Sequence, residues 1–150
     1  KDTITSVVEI SNNLSPHVLI SYGLSAAVSI FIDSKRHFLN FTLTDNIKQK
    51  RFSEHVEVMY YRIIKELTNN TLKYADAKNI TIDILYKENM LHLRYRDDGK
   101  GCDVKEILER EHRGIGLVNI ISRIKSVDGK YAFESTPGNG FSFELTCKIS

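Results

Sequence analysis

Three segments stand in a fixed order along this chain: Glu66-Leu67-Thr68-Asn69-Asn70, Asp97-Asp98-Gly99-Lys100-Gly101 and Arg113-Gly114-Ile115-Gly116-Leu117. The two glycine clusters lie thirteen positions apart, counted from Gly101 to Gly114. Each segment alone is a weak signal, because short glycine patterns recur by chance and most only make turns. Together they constrain the fold strongly. An amide-bearing helix edge, a carboxylate at a strand end and backbone without side chains must all meet in one place.

The surrounding elements supply those positions. Thr3 to Leu14 has helical spacing, and Pro16 ends it. Gly23 opens a short helix, Leu24 to Asp33, with Ala26, Ala27, Val28 and Ile30 suited to tight packing. His37 to Asp45 alternates as a strand, with Leu39, Phe41 and Leu43 sharing one face. Phe52 to Asp76 is the longest periodic segment. Val56, Met59, Tyr60, Ile63, Ile64, Leu67 and Thr71 form its apolar stripe, and Ser53 is placed to cap its start. Asn79 to Tyr86 and Met90 to Arg96 read as a hairpin turning at Lys87-Glu88-Asn89. A helix follows from the second glycine cluster through Val127. Two strands close the chain, Lys130 to Ser135 and Phe141 to Ile149, after turns at Asp128-Gly129 and Thr136-Pro137-Gly138-Asn139-Gly140. Helices before and between antiparallel hairpins predict an α+β fold, one sheet with helices on one face.

Bulk properties exclude several classes. The 150 residues suit one domain with a full core. A net charge of +2, with basic residues scattered, gives no nucleic-acid footprint. No apolar run reaches the roughly 20 residues of a membrane span. Cys102 and Cys147 lack metal-ligand spacing; two thiols in such a chain suggest a reducing compartment, with a single disulfide between them as the alternative. The chain opens on Lys1 within a helical pattern, so the expectation is an excised piece of a longer protein.

The chemistry follows from residue types. Glu66 and Asn70, four apart, share one helical face at the edge of the apolar stripe. An Asn carbonyl is a hard oxygen ligand suited to magnesium, which otherwise keeps waters and borrows phosphate oxygens. Lys73, three residues on along that face, can meet a phosphate as a point charge. Asp97 ends a strand, and its carboxylate can accept from the exocyclic amine of adenine; guanine offers a carbonyl there and is disfavoured. Gly99 and Gly101 are read as permitting positive φ and close approach of a base. Gly114 and Gly116 open a helix, whose free amides and dipole attract phosphate. Between the clusters, Lys105, Arg110 and Arg113 suit either a mobile cover over phosphates or a solvated helix with a Glu106–Arg110 pair. His17, His37, His55, His92 and His112 show no ligand spacing, and none is followed by a helical acid as a phosphoacceptor would be; they read as ordinary surface or structural residues.

On these residues the chain resembles the ATP-binding domain of bacterial sensor histidine kinases, within the GHKL (Bergerat-fold) superfamily. Glu66 to Asn70 looks like its N box, with Asn70 as magnesium ligand and Glu66 orienting the metal's water or polarising the nucleophile. Asp97 to Gly101 looks like the first glycine box. Gly114 to Leu117, with Asn119 and Arg123 downstream, looks like the second. Leu14 to Leu19 and Tyr22 to Ala27 are similar to the segment joining dimerisation helices to the ATP domain in the nitrate-sensor and desaturase-thermosensor type.

The resemblance implies a two-layer α/β sandwich with a mixed sheet and three long helices, and an ATP lid over Cys102 to Arg113. It implies residues 1–22 as the end of a dimerisation helix and linker, and 23–150 as the catalytic domain. Its site would comprise Glu66, Asn70, Lys73, Asp97, Gly99, Gly101, Arg113, Gly114, Gly116 and Leu117, with ATP and Mg²⁺ bound. Implied partners are the parent's phosphoacceptor helices in a homodimer and a downstream response regulator, with no nucleic acid. The implied setting is a cytoplasmic domain of a membrane-anchored parent. Three departures stand out. Tyr74 replaces a histidine common after Lys73, Phe141 follows Gly140 where a threonine is frequent, and the family's phosphoacceptor histidine lies upstream of the matched segment. Two other functions compete, an anti-sigma-factor serine kinase and a nucleotide-sensing module without transfer. The Leu14 to Ala27 segment disfavours the first, and the intact motif residues disfavour the second.

Overall fold

The computed structural model describes residues 17–101 and 116–149, with side chains in the second stretch from Asn119 onward. The expected helix over Thr3 to Leu14 and the expected lid over Cys102 to Arg113 lie outside the described residues.

Residues 17–22 are helical and stop at Gly23, which sits at φ 96°. The chain then runs α1 (Leu24–Lys35), β1 (Asn40–Asp45), α2 (Glu54–Asn70), a π-helical turn (Thr71–Ala75), β2 (Asn79–Lys87), β3 (Met90–Asp97), α3 (Gly116–Lys125), β4 (Lys130–Ser135) and β5 (Phe141–Lys148). The five strands make one sheet in the order β1-β2-β3-β5-β4. β1 and β2 are parallel, which requires the α2 crossover, and every other pair is antiparallel. The fold is the mixed α+β sandwich expected.

Alternation explains the two layers. Ile80, Ile82 and Ile84 of β2, Leu91, Leu93 and Tyr95 of β3, and Phe143, Leu145 and Cys147 of β5 all point to one buried face. Against it lie Met59, Tyr60, Ile63, Ile64 and Leu67 of α2 and Ile120 and Ile124 of α3. Truncating one of these, such as Ile63 to Ala, costs roughly 2–5 kcal/mol. The opposite face is polar, and carries an exposed Arg94–Glu144 pair across β3 and β5.

Two boundaries differ from expectation. The first strand starts at Asn40 rather than His37, because residues 36–38 close α1 in a turn, with Phe38 N donating to Lys35 O at 3.0 Å. The long helix is not α-helical to Asp76. Ser53 Oγ caps its start by accepting from Val56 N, as expected, but after Asn70 the backbone widens into the π turn and leaves through Asp76 at φ 51°. The hairpin turns on Glu88 and Asn89, both at positive φ, the conformation that matches sheet twist in a two-residue connection.

Candidate functional site

Asp97 sits at the last position of β3, half-buried, and its carboxylate is held from two sides. Oδ1 accepts from Gly99 N at 2.9 Å, and Oδ2 accepts from Thr71 Oγ1 at 2.8 Å. Thr71 directly follows Asn70, so this bond ties the helix-edge motif to the strand-end motif. Thr71 Oγ1 also makes a short hydrogen bond with the Tyr95 hydroxyl, which lies 3.1 Å from Leu67 O. Tyr95 is wholly buried, and burial pushes its phenol far above the ordinary range. The sequence reading missed this pair. The signal was present: the inward alternation Leu91, Leu93, Tyr95 puts a phenol in the core, where it requires a partner.

The neighbouring Asp98 has another task. Its Oδ1 accepts from the backbone N–H of Lys78 and Asn79, and its Oδ2 from Asn79 Nδ2 at 2.7 Å, so it anchors the start of β2. Bonding from the Asn79 side chain and backbone holds its carboxyl below the usual value.

Close packing explains the first glycine cluster better than base access does. Gly99 is not at positive φ; a Cβ there would lie 2.4 Å from Ala75 O, on the π turn. Gly101 is at φ 71°, and its Cβ would meet Thr136 O at 2.1 Å. The cluster is thus pressed between the end of the α2 crossover and the β4–β5 turn. Gly140, a turn residue by sequence, closes the same seam, because its Cβ would fall 2.4 Å from Asp97 O. Phe141 pairs directly with Asp97 across β3 and β5, its ring against those of Tyr95 and Phe133.

The polar edge of α2 meets α3 at a cleft of about 230 Å³. Glu66 and Asn69 line it beside Asn119, with the basic residues Arg62, Lys65 and Arg123. Burial, together with the charge of Arg62 and Lys35, lowers the Lys65 ammonium below its usual value. Three basic residues and one acid line the cleft, the Lys65 ammonium lying over the Tyr61 ring, so its net charge favours an anion. Asn70 is half-buried one turn beyond Glu66. Lys73 is exposed in the π turn. Its i→i+5 bonding removes the α-helical offset that sequence spacing assumed between Asn70 and Lys73.

Gly116 and Leu117 open α3, in line with the second glycine cluster heading a helix. Arg113 and Gly114 lie outside the described residues, as do Cys102 and His112. His17, His37 and His55 are exposed, and His92 bonds Thr146 on the polar sheet face. Among the described residues no three His, Cys, Asp or Glu side chains converge as a metal cluster, and no helix is long and apolar enough to cross a membrane.

A second polar cluster joins the first helical segment to the domain. Glu57, 2% exposed, receives Arg51 Nε at 3.0 Å and Nη2 at 2.9 Å, and also Phe52 N at 3.1 Å. The same Nη2 donates to Leu19 O and Ile20 O, carbonyls at the end of the 17–22 helix.

Residues 55–150 match the family model described as "Histidine kinase-, DNA gyrase B-, and HSP90-like ATPase". Among curated relatives, sensor histidine kinase ComP of Bacillus subtilis is 27% identical over 152 residues, covering 99% of this chain and 19% of the relative. The signal transduction histidine-protein kinase/phosphatase DegS of the same organism is 25% identical over 112 residues, covering 75% of this chain and 29% of the relative. This chain therefore spans less than a third of either protein. Among solved structures, the Erythrobacter litoralis EL346 blue-light activated histidine kinase superposes with a TM-score of 0.72 at 13% identity, covering 97% of this chain and 50% of that one. Acinetobacter baumannii histidine kinase AdeS gives 0.66 at 14% identity, covering 99% and 83%. At such identities the structural likeness concerns the fold.

Proposed function

The chain belongs to this histidine kinase-, DNA gyrase B- and HSP90-like ATPase family as its ATP-binding domain, and from that premise we propose that it is the catalytic part of a two-component sensor kinase. It transfers the γ-phosphoryl group of ATP to a histidine on a dimerisation helix outside these 150 residues. The observation that carries this reading is the Thr71–Asp97 bond, which joins the Asn70 helix edge to the Asp97 strand end in one site. The relatives, both sensor kinases by name, support the reaction class.

Asp97 accepts from the exocyclic amine of adenine. Asn70 is the protein's oxygen ligand to magnesium, with Glu66 one turn earlier orienting water or the incoming nucleophile. The donor set fits that ion. Asn70 would supply a hard side-chain oxygen, and phosphate oxygens and water would complete the shell that magnesium prefers. Bound magnesium would offset the phosphate charge that builds during transfer. Arg62, Lys65 and Arg123 make the adjoining cleft anion-attracting, and Lys73, Gly99, Gly101, Arg113, Gly114, Gly116 and Leu117 complete the nucleotide contacts and their support.

Residues 1–22 are the end of a dimerisation helix and linker, and 23–150 the catalytic domain. The Arg51 bonds to Leu19 O and Ile20 O support this division, since they fasten an entering helix to the domain. Partners are the parent's phosphoacceptor helices, in a homodimer, and a response regulator; the setting is the cytoplasmic side of a membrane-anchored parent. Incubation with radiolabelled ATP tests the reading. The chain should label a supplied dimerisation helix of its own parent and leave itself unlabelled. Stable self-labelling at His17, His37, His55, His92 or His112 would overturn it.

A further inference from the structure

We propose that Thr71 and Tyr95 form a hydrogen-bond relay that holds Asp97 ready for the base, making Thr71 a positioning residue for adenine selectivity. This rests on the reading of Asp97 as the adenine acceptor.

Counting hydrogens assigns the direction of the relay. Four oxygens are linked in series: Leu67 O, Tyr95 Oη, Thr71 Oγ1 and Asp97 Oδ2. The two hydroxyls carry one hydrogen each. An ionised carboxylate only accepts, so the Thr71 hydrogen belongs to Asp97. Thr71 Oγ1 is then left as an acceptor and takes the Tyr95 hydrogen. Leu67 O already accepts the backbone N–H of Thr71, so it shares that phenol hydrogen without depending on it. The order is Tyr95 to Thr71 to Asp97.

Two consequences follow for the carboxylate. Thr71 on Oδ2 and Gly99 N on Oδ1 fix its plane, and each oxygen keeps a further acceptor direction for a ligand. The relay sits behind Asp97 in the dry interior, with Thr71 4% exposed, so water cannot replace a lost donor cheaply. A fixed acceptor discriminates an amine from a carbonyl more sharply than a rotating one does.

The test compares binding of magnesium–ADP and magnesium–IDP, which differ by amine against carbonyl at the base position in question. Calorimetry is run on the whole chain and on Thr71→Val, Thr71→Ser, Tyr95→Phe and Asp97→Asn. Thr71→Val keeps shape and removes the donor; it should cut ADP affinity about tenfold, the loss expected for a hydrogen bond to a charged group, and leave IDP affinity nearly unchanged. Thr71→Ser should restore the preference. A purely structural role would weaken both nucleotides alike, so an unaltered ADP/IDP ratio in Thr71→Val overturns the relay. Should that variant fail to fold, Tyr95→Phe decides: a reduced ratio supports the relay and an unchanged one overturns it. Asp97→Asn separates the two levels. A ratio that survives it sinks the adenine-acceptor reading and the relay together. A ratio abolished by Asp97→Asn but intact in Thr71→Val sinks the relay alone.

Discussion

Arg51 and Glu57 form a two-point ion pair in which the buried carboxylate aims the guanidinium at the carbonyl oxygens of Leu19 and Ile20. Glu57 is six residues from Arg51 in sequence, and Leu19 is thirty-two. A local contact therefore sets a distant one. The helix that enters the domain is fastened by carbonyls of its last turn, of which Leu19 O also accepts from Gly23 N at 2.9 Å.

Arg51→Ala should release that fastening. Hydrogen exchange at residues 17–24 is expected to speed up, including the Gly23 amide that now bonds Leu19 O. The β2–β3 hairpin, remote from the clamp, should keep its protection. Equal protection of residues 17–24 in both proteins would show that Arg51 does not hold the helix.

Gly99 of the first cluster and Gly138 of the β4–β5 turn give a graded prediction. Gly99→Ala puts a Cβ against the Ala75 carbonyl, which is backbone and cannot swing away. Gly138→Ala meets nothing within 4 Å and costs only its positive φ. Urea unfolding should show a loss of roughly 1–3 kcal/mol for Gly99→Ala, from overpacking, and about 1 kcal/mol for Gly138→Ala, from backbone strain. The reverse order would contradict the packing explanation of Gly99.

Asp98 makes stability depend on pH in one direction. Its folded pKa lies below the ordinary carboxylate value, so it stabilises the fold above its unfolded pKa of about 3.9 and loses that contribution as pH falls through the folded value. The group is exposed, so the effect is modest, about 1 kcal/mol or less. Asp98→Asn should therefore be less stable than the wild type at pH 7, with the gap closing on acidification. A gap that widens at low pH would reverse the assigned cause.

Much of this was legible in the sequence, and the exceptions share a cause. Strands β2 to β5 follow from alternation and turn residues, because one buried face imposes a period of two. The end of α2 was read wrongly because no periodicity marks the change from α to π bonding after Asn70. The π turn ends at Ala75, whose carbonyl accepts from Lys100 N and lies close against Gly99, residues far along the chain. Asp97 was found from its place before glycines. Thr71 was seen only as part of an apolar stripe, since its hydroxyl partners lie on a strand twenty-four and twenty-six residues away. Gly99 and Gly140 read in the sequence as flexible or turning positions, yet neighbouring backbone demands both.

Asn70→Asp addresses metal and chemistry separately from base recognition. A new charge in the magnesium shell disturbs phosphate geometry while Asp97 and its supports remain. Nucleotide affinity should fall less than transfer to a supplied phosphoacceptor helix, whose rate is expected to drop about a hundredfold or more. Parallel losses in both would assign Asn70 to binding alone.

The most direct measurement is calorimetric titration of this chain with magnesium–ATP and magnesium–GTP, beside the Asp97→Asn variant. The expected result is strong preference for ATP in the wild type and a more than tenfold loss of ATP affinity in Asp97→Asn, the size of one hydrogen bond to a charged group. Equal affinity for the two nucleotides, or an Asp97→Asn variant that binds ATP as the wild type does, would contradict it.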